Sequence, residues 1–334
     1  MRVPPVRVIC LLTTVILLAG CGERPQPNAD DNARPVVIAT VPMIGDLARE
    51  IAGGRAEVRT LLREGVDPHT YSPTAADVRQ ITSADLLLYN GLLLEGVMQD
   101  RLAAQKNALA VAATLPKDAL RTPDDFAGHP DPHVWMDVSL WEQTVPAIRD
   151  ALIEIVPDEF SDELHGNADQ LAARLRRLHQ YATEVTATIP QDRRRLVTAH
   201  DAFGYFARAY GVEVFSVQGV STESAAGVED VNRLVRLCED ENIPAVFMET
   251  NVSPRYLEAV IAGAADRGVT LQAGGPLYSD SAGKPGTWEA TYFGMIDHNL
   301  TKIVGPLGGT VPEGGFRGWE ERNAMAAEND EPAK

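Results

Sequence analysis

The sequence predicts an α/β protein of two lobes, each a mainly parallel sheet flanked by helices, joined by one long rigid helix. Three observations carry that expectation. Extended and helical patterns alternate from Val36 onward and restart at Arg195, the order from which βα layers are built. Between these runs, Asp158 to Ile189 is rich in Leu, Ala, Arg and Glu, with no proline and Gly166 as its one glycine. A chain of 334 residues that is 45% hydrophobic also carries enough apolar side chains for two cores.

The elements follow in order. VVIAT is the first strand, Ile44 to Ala52 the first helix and VRTLL the second strand. The next helix, Pro73 to Ser83, begins on a proline, whose missing N–H is not needed in a first turn. DLLLYN is the third strand, followed by a helix after Leu94 and a short strand around Leu109 to Ala113. Pro116 to Pro132 reads as irregular and Leu140 to about Val156 as helical. The long helix, at 1.5 Å per residue, spans roughly 45 Å and ends at Pro190. The second lobe reads RLVTAH, a helix over Phe203 to Tyr210, VEVFSV, a helix through Glu229 to Glu239, and AVFMET. A helix from Pro254 to Asp266, VTLQAGG and a last helix from Trp288 to Val304 complete it. The polar tail from Pro312 is expected to fray.

The expected organisation is a signal peptide over 1–20, a flexible tether over 21–35, an N-terminal lobe over 36–157, a linking helix over 158–190, a C-terminal lobe over 191–311 and a polar tail over 312–334. Arg2 and Arg7 followed by an apolar run from Val8 to Leu18 form a secretory signal. That run falls short of the ~20 residues a membrane span needs. Leu18-Ala19-Gly20-Cys21 resembles a lipobox, so the mature chain is expected to begin at an acylated Cys21 and to work outside the cytoplasm, anchored to a bacterial membrane. Cys10 leaves with the signal and Cys21 carries lipid. Cys238, on the apolar stripe of a helix, is left as an inert core thiol. The formal charge of −17 becomes −19 once Arg2 and Arg7 are removed, which argues against a nucleic-acid partner.

Asp-Pro-His occurs twice, as Asp67-Pro68-His69 and Asp131-Pro132-His133. Proline fixes its own φ and pushes the preceding residue toward extended geometry, so each triplet presents an imidazole on stiff, non-helical backbone. His200, closing the apolar run RLVTAH, and Asp280, in the loop GGPLYSDSAG, complete a candidate metal set of His69, His133, His200 and Asp280. Three imidazoles and a carboxylate suit a borderline divalent ion. Each candidate falls on a loop near a strand end, where α/β sheets place ligand groups, and two come from each lobe. Asp67, Asp131, Asp137, Asp201 and Glu249 are candidates for orienting the rings.

The other histidines fit less well. His129 is four residues from His133, but Pro130 and Pro132 forbid a helix between them, leaving at most an auxiliary ligand. His165 and His179 would lie roughly 21 Å apart along the long helix. His298 reads as a packing residue. The chain lacks GxxxxGK[ST], HExxH and GxSxG, so no phosphate loop, zincin helix or hydrolase elbow competes.

At these residues the chain resembles the zinc- and manganese-binding solute-binding lipoproteins of bacterial metal ABC importers, the metal-specific cluster A-I family. The segments that carry the resemblance, between Val36 and about Leu307, include VPMIGDLAREIAG, GVDPHTYSPTAADV, DPHVWMD, TAHDAFGYFARAYG, VFMETNVSP, GGPLYSDSAG and TYFGMIDHN. The resemblance implies a metal held between two lobes by His69, His133, His200 and Asp280, and docking to a membrane permease that works with an ATPase. Many zinc members carry a long histidine-rich loop before the second DPH, where this chain has only DALRTPDDFAGHP; many manganese members have glutamate where this chain has His200.

The donor set favours Zn2+ over Mn2+, because manganese prefers more oxygen ligands and a higher coordination number; Fe2+ is a further candidate. The expected function is therefore capture of a divalent metal by a monomeric, non-enzymatic binding protein. Two alternatives stand beside it: a metal-dependent hydrolase with Glu249 or Asp201 as base, and a surface adhesin with a structural metal.

Overall fold

The computed structural model describes residues 34–330, with side chains through residue 324. The expected signal peptide, the lipidation site Cys21, nearly all of the tether and the last four residues lie outside the described residues.

Apolar runs form two four-stranded parallel sheets. The first holds β1 (Val36–Ala39), β2 (Glu57–Thr60), β3 (Leu86–Tyr89) and β4 (Ala108–Ala110) in the order β2-β1-β3-β4. The second holds β5 (Arg195–His200), β6 (Glu213–Gln218), β7 (Ala245–Glu249) and β8 (Gln272–Leu277) in the order β6-β5-β7-β8. All residues of β3 are buried, as expected for a parallel strand covered on both faces. In each sheet the chain reverses its direction of winding beside the first strand, so a crevice opens at the carboxyl ends of β1 and β3 and of β5 and β7.

The linking helix is Ser161–Ala187, 27 residues and about 40 Å long. Among its buried residues, Leu164, Ala168, Leu171, Leu175, Leu178, Ala182 and Val185 recur every three or four positions, with Tyr181 and Thr186 beside them, which makes one apolar stripe. The stripe packs in a single core with Val37 and Ile38 of the first sheet and Leu196 and Phe247 of the second. Neighbouring Val197 and Val246 face the opposite side of the second sheet, in a smaller core that buries Cys238. Alternation along β5 and β7 thus splits the second lobe between a shared core and one of its own.

Several boundaries differ from the sequence reading, each for a local reason. The helix expected from Pro73 begins at Ala75, because Thr74 caps it. The Asp77 N–H donates to Thr74 Oγ1 at 3.2 Å and the Thr74 N–H to Asp77 Oδ2 at 2.8 Å, a reciprocal cap. Thr74→Ala is expected to lower stability by about 1 kcal/mol in urea unfolding; an unchanged midpoint would show that the cap contributes nothing. The helix expected over Leu140 to Val156 is two helices, Val138–Glu142 and Val145–Ile153, since Pro146 cannot donate into a preceding turn. The last expected helix starts at Tyr292 behind the cap Thr291 rather than at Trp288.

The tail is the largest difference. Rather than fraying from Pro312, the chain forms a helix over Gly315–Asp330. Phe316 is fully buried and Trp319 nearly so. Phe316 stacks on Phe293 at 6.0 Å and meets Tyr181 of the linking helix at 5.5 Å. The Trp319 indole N–H donates to Glu184 at 2.8 Å. Two aromatic residues three positions apart anchor a segment whose average composition is polar. Among the described residues no helix is long and apolar enough to cross a membrane.

Candidate metal centre

Both Asp-Pro-His triplets fold the same way. The His69 N–H donates to Asp67 Oδ1 at 2.9 Å and the His133 N–H to Asp131 Oδ1 at 3.0 Å. An aspartate capturing the backbone two residues on makes a compact turn, and the intervening proline has no N–H to compete for the carboxylate. The first turn follows β2 and the second lies on the long loop after β4. His200 is the last residue of β5 and Asp280 follows β8.

These four residues come together. One ligand atom from each of His69, His133, His200 and Asp280 lies within 4.8 Å of all the others, and all four side chains are buried. His69 Nε2 is 3.4 Å from His133 Nε2. Asp280 places Oδ1 3.2 Å from His133 Nε2 and Oδ2 3.2 Å from His200 Nε2 and 3.8 Å from His69 Nε2. His200 Nε2 and Asp280 Oδ1 nevertheless lack a well-aligned hydrogen bond, which is costly for buried polar atoms unless another group engages them. Three imidazole nitrogens and a carboxylate converging in this way fit a divalent cation.

The surrounding groups fix two of the three rings. Glu249, the last residue of β7, accepts the Ala199 and His200 N–H groups on Oε1, at 2.8 and 3.0 Å, and faces His200 Nδ1 with Oε2 at 2.6 Å. Asp131 faces His133 Nδ1 at 2.9 Å and pairs with Arg121 through its other oxygen. A carboxylate on Nδ1 holds the ring so that Nε2 points inward. Asp67 holds the backbone of His69 but not its ring, and its Oδ2 accepts from Thr222 of the opposite lobe at 2.5 Å. Among the described residues His69 Nδ1 has no hydrogen-bond partner. Asp137, instead of orienting a ring, caps the helix Val138–Glu142, and among the described residues Asp201 makes no hydrogen bond to a ring nitrogen.

Charge is distributed unevenly. Burial drives His69 down to about 3. Burial also opposes charge on His133, but Asp280 and Asp131 outweigh it and lift that ring to about 9. His200, between Glu249 and Asp280, is likewise raised despite its burial. Burial alone would raise Asp280, yet the facing His200 and His133 hold it well below the usual carboxylate range.

Of the remaining histidines, His129 is exposed against Phe126 and stands outside the cluster. His165 is exposed; His179 approaches the Tyr210 hydroxyl at 3.4 Å. His298 Nε2 lies 2.9 Å from the Pro276 carbonyl, a packing role. Sequence reasoning missed three contributors. The Trp135 ring meets His133 edge-on at 5.3 Å, and its indole N–H reaches the Ser279 carbonyl at 2.9 Å. Asn251 donates to Asp280 Oδ2 at 2.8 Å, and Thr222 holds Asp67. Their spacing in the chain carries no sign of these contacts, although Trp135 and Asn251 do fall inside DPHVWMD and VFMETNVSP.

Two parallel α/β lobes sharing one long helix, with a buried polar cluster where their strand ends meet, define a two-lobed solute-binding protein. A family model described as the periplasmic zinc-uptake complex component A matches residues 37–305. The chain belongs to this family of metal-binding substrate-binding proteins. It is 39% identical to the manganese-binding lipoprotein MntA of Bacillus subtilis, over 89% of this chain and 97% of that protein. It is 38% identical to the zinc-binding protein TroA of Treponema pallidum, again over 89% of this chain and 97% of that protein. The solved periplasmic zinc-binding TroA structure superposes with a TM-score of 0.79 at 39% identity, covering 82% of this chain and 99% of that one. A structure of Fe(III)-bound YtgA from Chlamydia trachomatis gives 0.76 at 28% identity, covering 84% of this chain and 100% of that one.

Proposed function

We infer that this protein captures a divalent transition metal at His69, His133, His200 and Asp280 outside the cytoplasm and delivers it to the membrane permease of an ABC importer. The observation that carries this reading is the convergence of four buried donors, two from each lobe, within 4.8 Å. Zinc is favoured over manganese because three imidazoles outnumber the carboxylate, with Fe2+ a further candidate. Relatives named for manganese, zinc and iron(III) binding support a transition-metal cargo of this range. The protein acts as a monomeric carrier rather than an enzyme: Asp280 supplies a fourth donor where a catalytic zinc keeps an open position. Acylation at Cys21 after removal of residues 1–20 anchors it to the membrane, with 21–35 as tether.

Elemental analysis of protein purified without added metal, followed by competition between zinc and manganese, tests the reading. Stoichiometric metal with zinc bound the more tightly is expected, and absence of binding to either ion refutes capture.

The electrostatics give a pH dependence with a definite sign. His133, and His200 beside it, carry protons at neutral pH in the metal-free protein because both are raised above the usual imidazole value. Coordination requires neutral rings. Binding therefore releases protons at pH 7, and affinity climbs with pH toward about 9, by about tenfold per unit for each proton displaced. The sequence alone would place the loss only below an ordinary imidazole pKa of about 6.5. Calorimetry in buffers of different ionisation enthalpy counts the protons, and a pH-independent affinity above 6.5 contradicts the assignment.

A further inference from the structure

We propose that Asn251 is a positioning residue that holds Asp280 with both carboxylate oxygens turned toward the histidines, and thereby narrows the preference of the site for zinc over manganese. The proposal rests on the metal-capture reading above. Asn251 lies in the loop after β7, two residues beyond Glu249, and reaches across to the loop after β8. Its Nδ2 donates to Asp280 Oδ2 at 2.8 Å, while its Oδ1 accepts from the Ser279 hydroxyl at 2.8 Å. The direction of the amide follows from chemistry: an ionised carboxylate only accepts, so the NH2 end must face Asp280 and the carbonyl end must face Ser279. Ser279 is itself fully buried, so both ends of the amide are held.

The consequence lies in the rotation of Asp280. A terminal carboxylate torsion is broad, with no strong intrinsic preference. Pinned at Oδ2, the group presents Oδ1 at 3.2 Å to His133 Nε2 and Oδ2 at 3.2 Å to His200 Nε2. Both oxygens are then turned toward ring nitrogens, with His69 Nε2 3.8 Å from Oδ2 and 3.4 Å from His133 Nε2. Zinc is satisfied by four donors in a tetrahedron, whereas manganese prefers more oxygen and a higher coordination number and is the weaker binder at a shared site. A carboxylate free to turn one oxygen away keeps four donors for zinc and loses the fifth that manganese uses. Asn251 therefore supports the weaker-binding ion more than the stronger one.

Asn251→Ala and Ser279→Ala test this in the full-length protein, with manganese and zinc each titrated against a chelating indicator and cobalt(II) absorption reporting coordination number. Asn251→Ala is expected to weaken manganese by about 10- to 100-fold, the range for removing a group that orients a ligand, and zinc by markedly less. The cobalt d–d bands of the variant should intensify toward those of a four-coordinate ion. Ser279→Ala, which frees the far end of the amide, should move both readouts the same way by a smaller amount. A folded Asn251→Ala protein with an unchanged manganese-to-zinc ratio and an unchanged cobalt spectrum overturns the proposal, as does an equal loss for both ions. If Asn251→Ala does not fold, Ser279→Ala decides between the same outcomes. If the parent protein binds neither metal, the capture reading falls and this proposal with it, whereas normal parental binding with an unmoved variant removes the role of Asn251 alone.

Discussion

Replacing His200 by alanine is expected to weaken both zinc and manganese binding by roughly 100- to 1,000-fold. A four-ligand zinc site in a small peptide is worth about 10–16 kcal/mol, so one ligand corresponds to about 2.5–4 kcal/mol. His200 carries an additional liability, because Glu249 faces its Nδ1 at 2.6 Å from a buried position. Removing the ring leaves that carboxylate with only the two backbone N–H groups at residues 199 and 200, so a fall in melting temperature should accompany the loss of affinity. His298→Ala is the matched control. Its ring contacts the Pro276 carbonyl and Tyr278, outside the cluster, and metal affinity should be unchanged. A His200→Ala protein that binds either ion as tightly as the parent would remove His200 from the site.

Phe316→Ala is expected to destabilise the fold by about 3–5 kcal/mol, the range for deleting a fully buried phenylalanine. The ring is held between Phe293, Tyr181 and Trp319, and its backbone N–H donates to Asp297 at 2.9 Å. Asp297 also accepts from the Tyr181 hydroxyl at 3.0 Å and the Trp288 indole at 3.2 Å. The C-terminal helix is thus tied to both the linking helix and the helix Tyr292–Val304. Urea unfolding measures the effect. A loss below about 1 kcal/mol, ordinary for a surface substitution, would mean that the segment does not dock as described.

That helix also shows where reading the sequence falls short. The residues after Pro312 have no sustained apolar period, and two aromatic side chains in a polar segment do not reveal that a complementary patch exists on Tyr181 and Phe293. The strands and the linking helix were legible for the opposite reason. VVIAT, DLLLYN and RLVTAH are short apolar runs with turn residues at their ends, and the stripe from Leu164 to Val185 repeats at the period of a helix. Such patterns depend only on neighbours in the chain. Caps shifted the boundaries by a few residues where a single side chain, Thr74 or Thr291, decided the first turn.

The same division holds at the candidate site. The chain alone determined which residues could act as donors: the repeated Asp-Pro-His makes a turn from its own three residues, and His200 and Asp280 fall near strand ends because parallel sheets put loops there. Tertiary structure decided everything that depends on groups far apart in sequence. It brought the four donors within 4.8 Å and assigned Glu249 and Asp131, but not Asp137 or Asp201, to the rings. It raised His133 and His200 while lowering His69, and aimed Asn251 at Asp280. The physical reason is range. Turn geometry and periodicity are set by covalent neighbours, whereas burial, ring orientation and charge coupling are set by whichever side chains the fold packs into the same few ångströms.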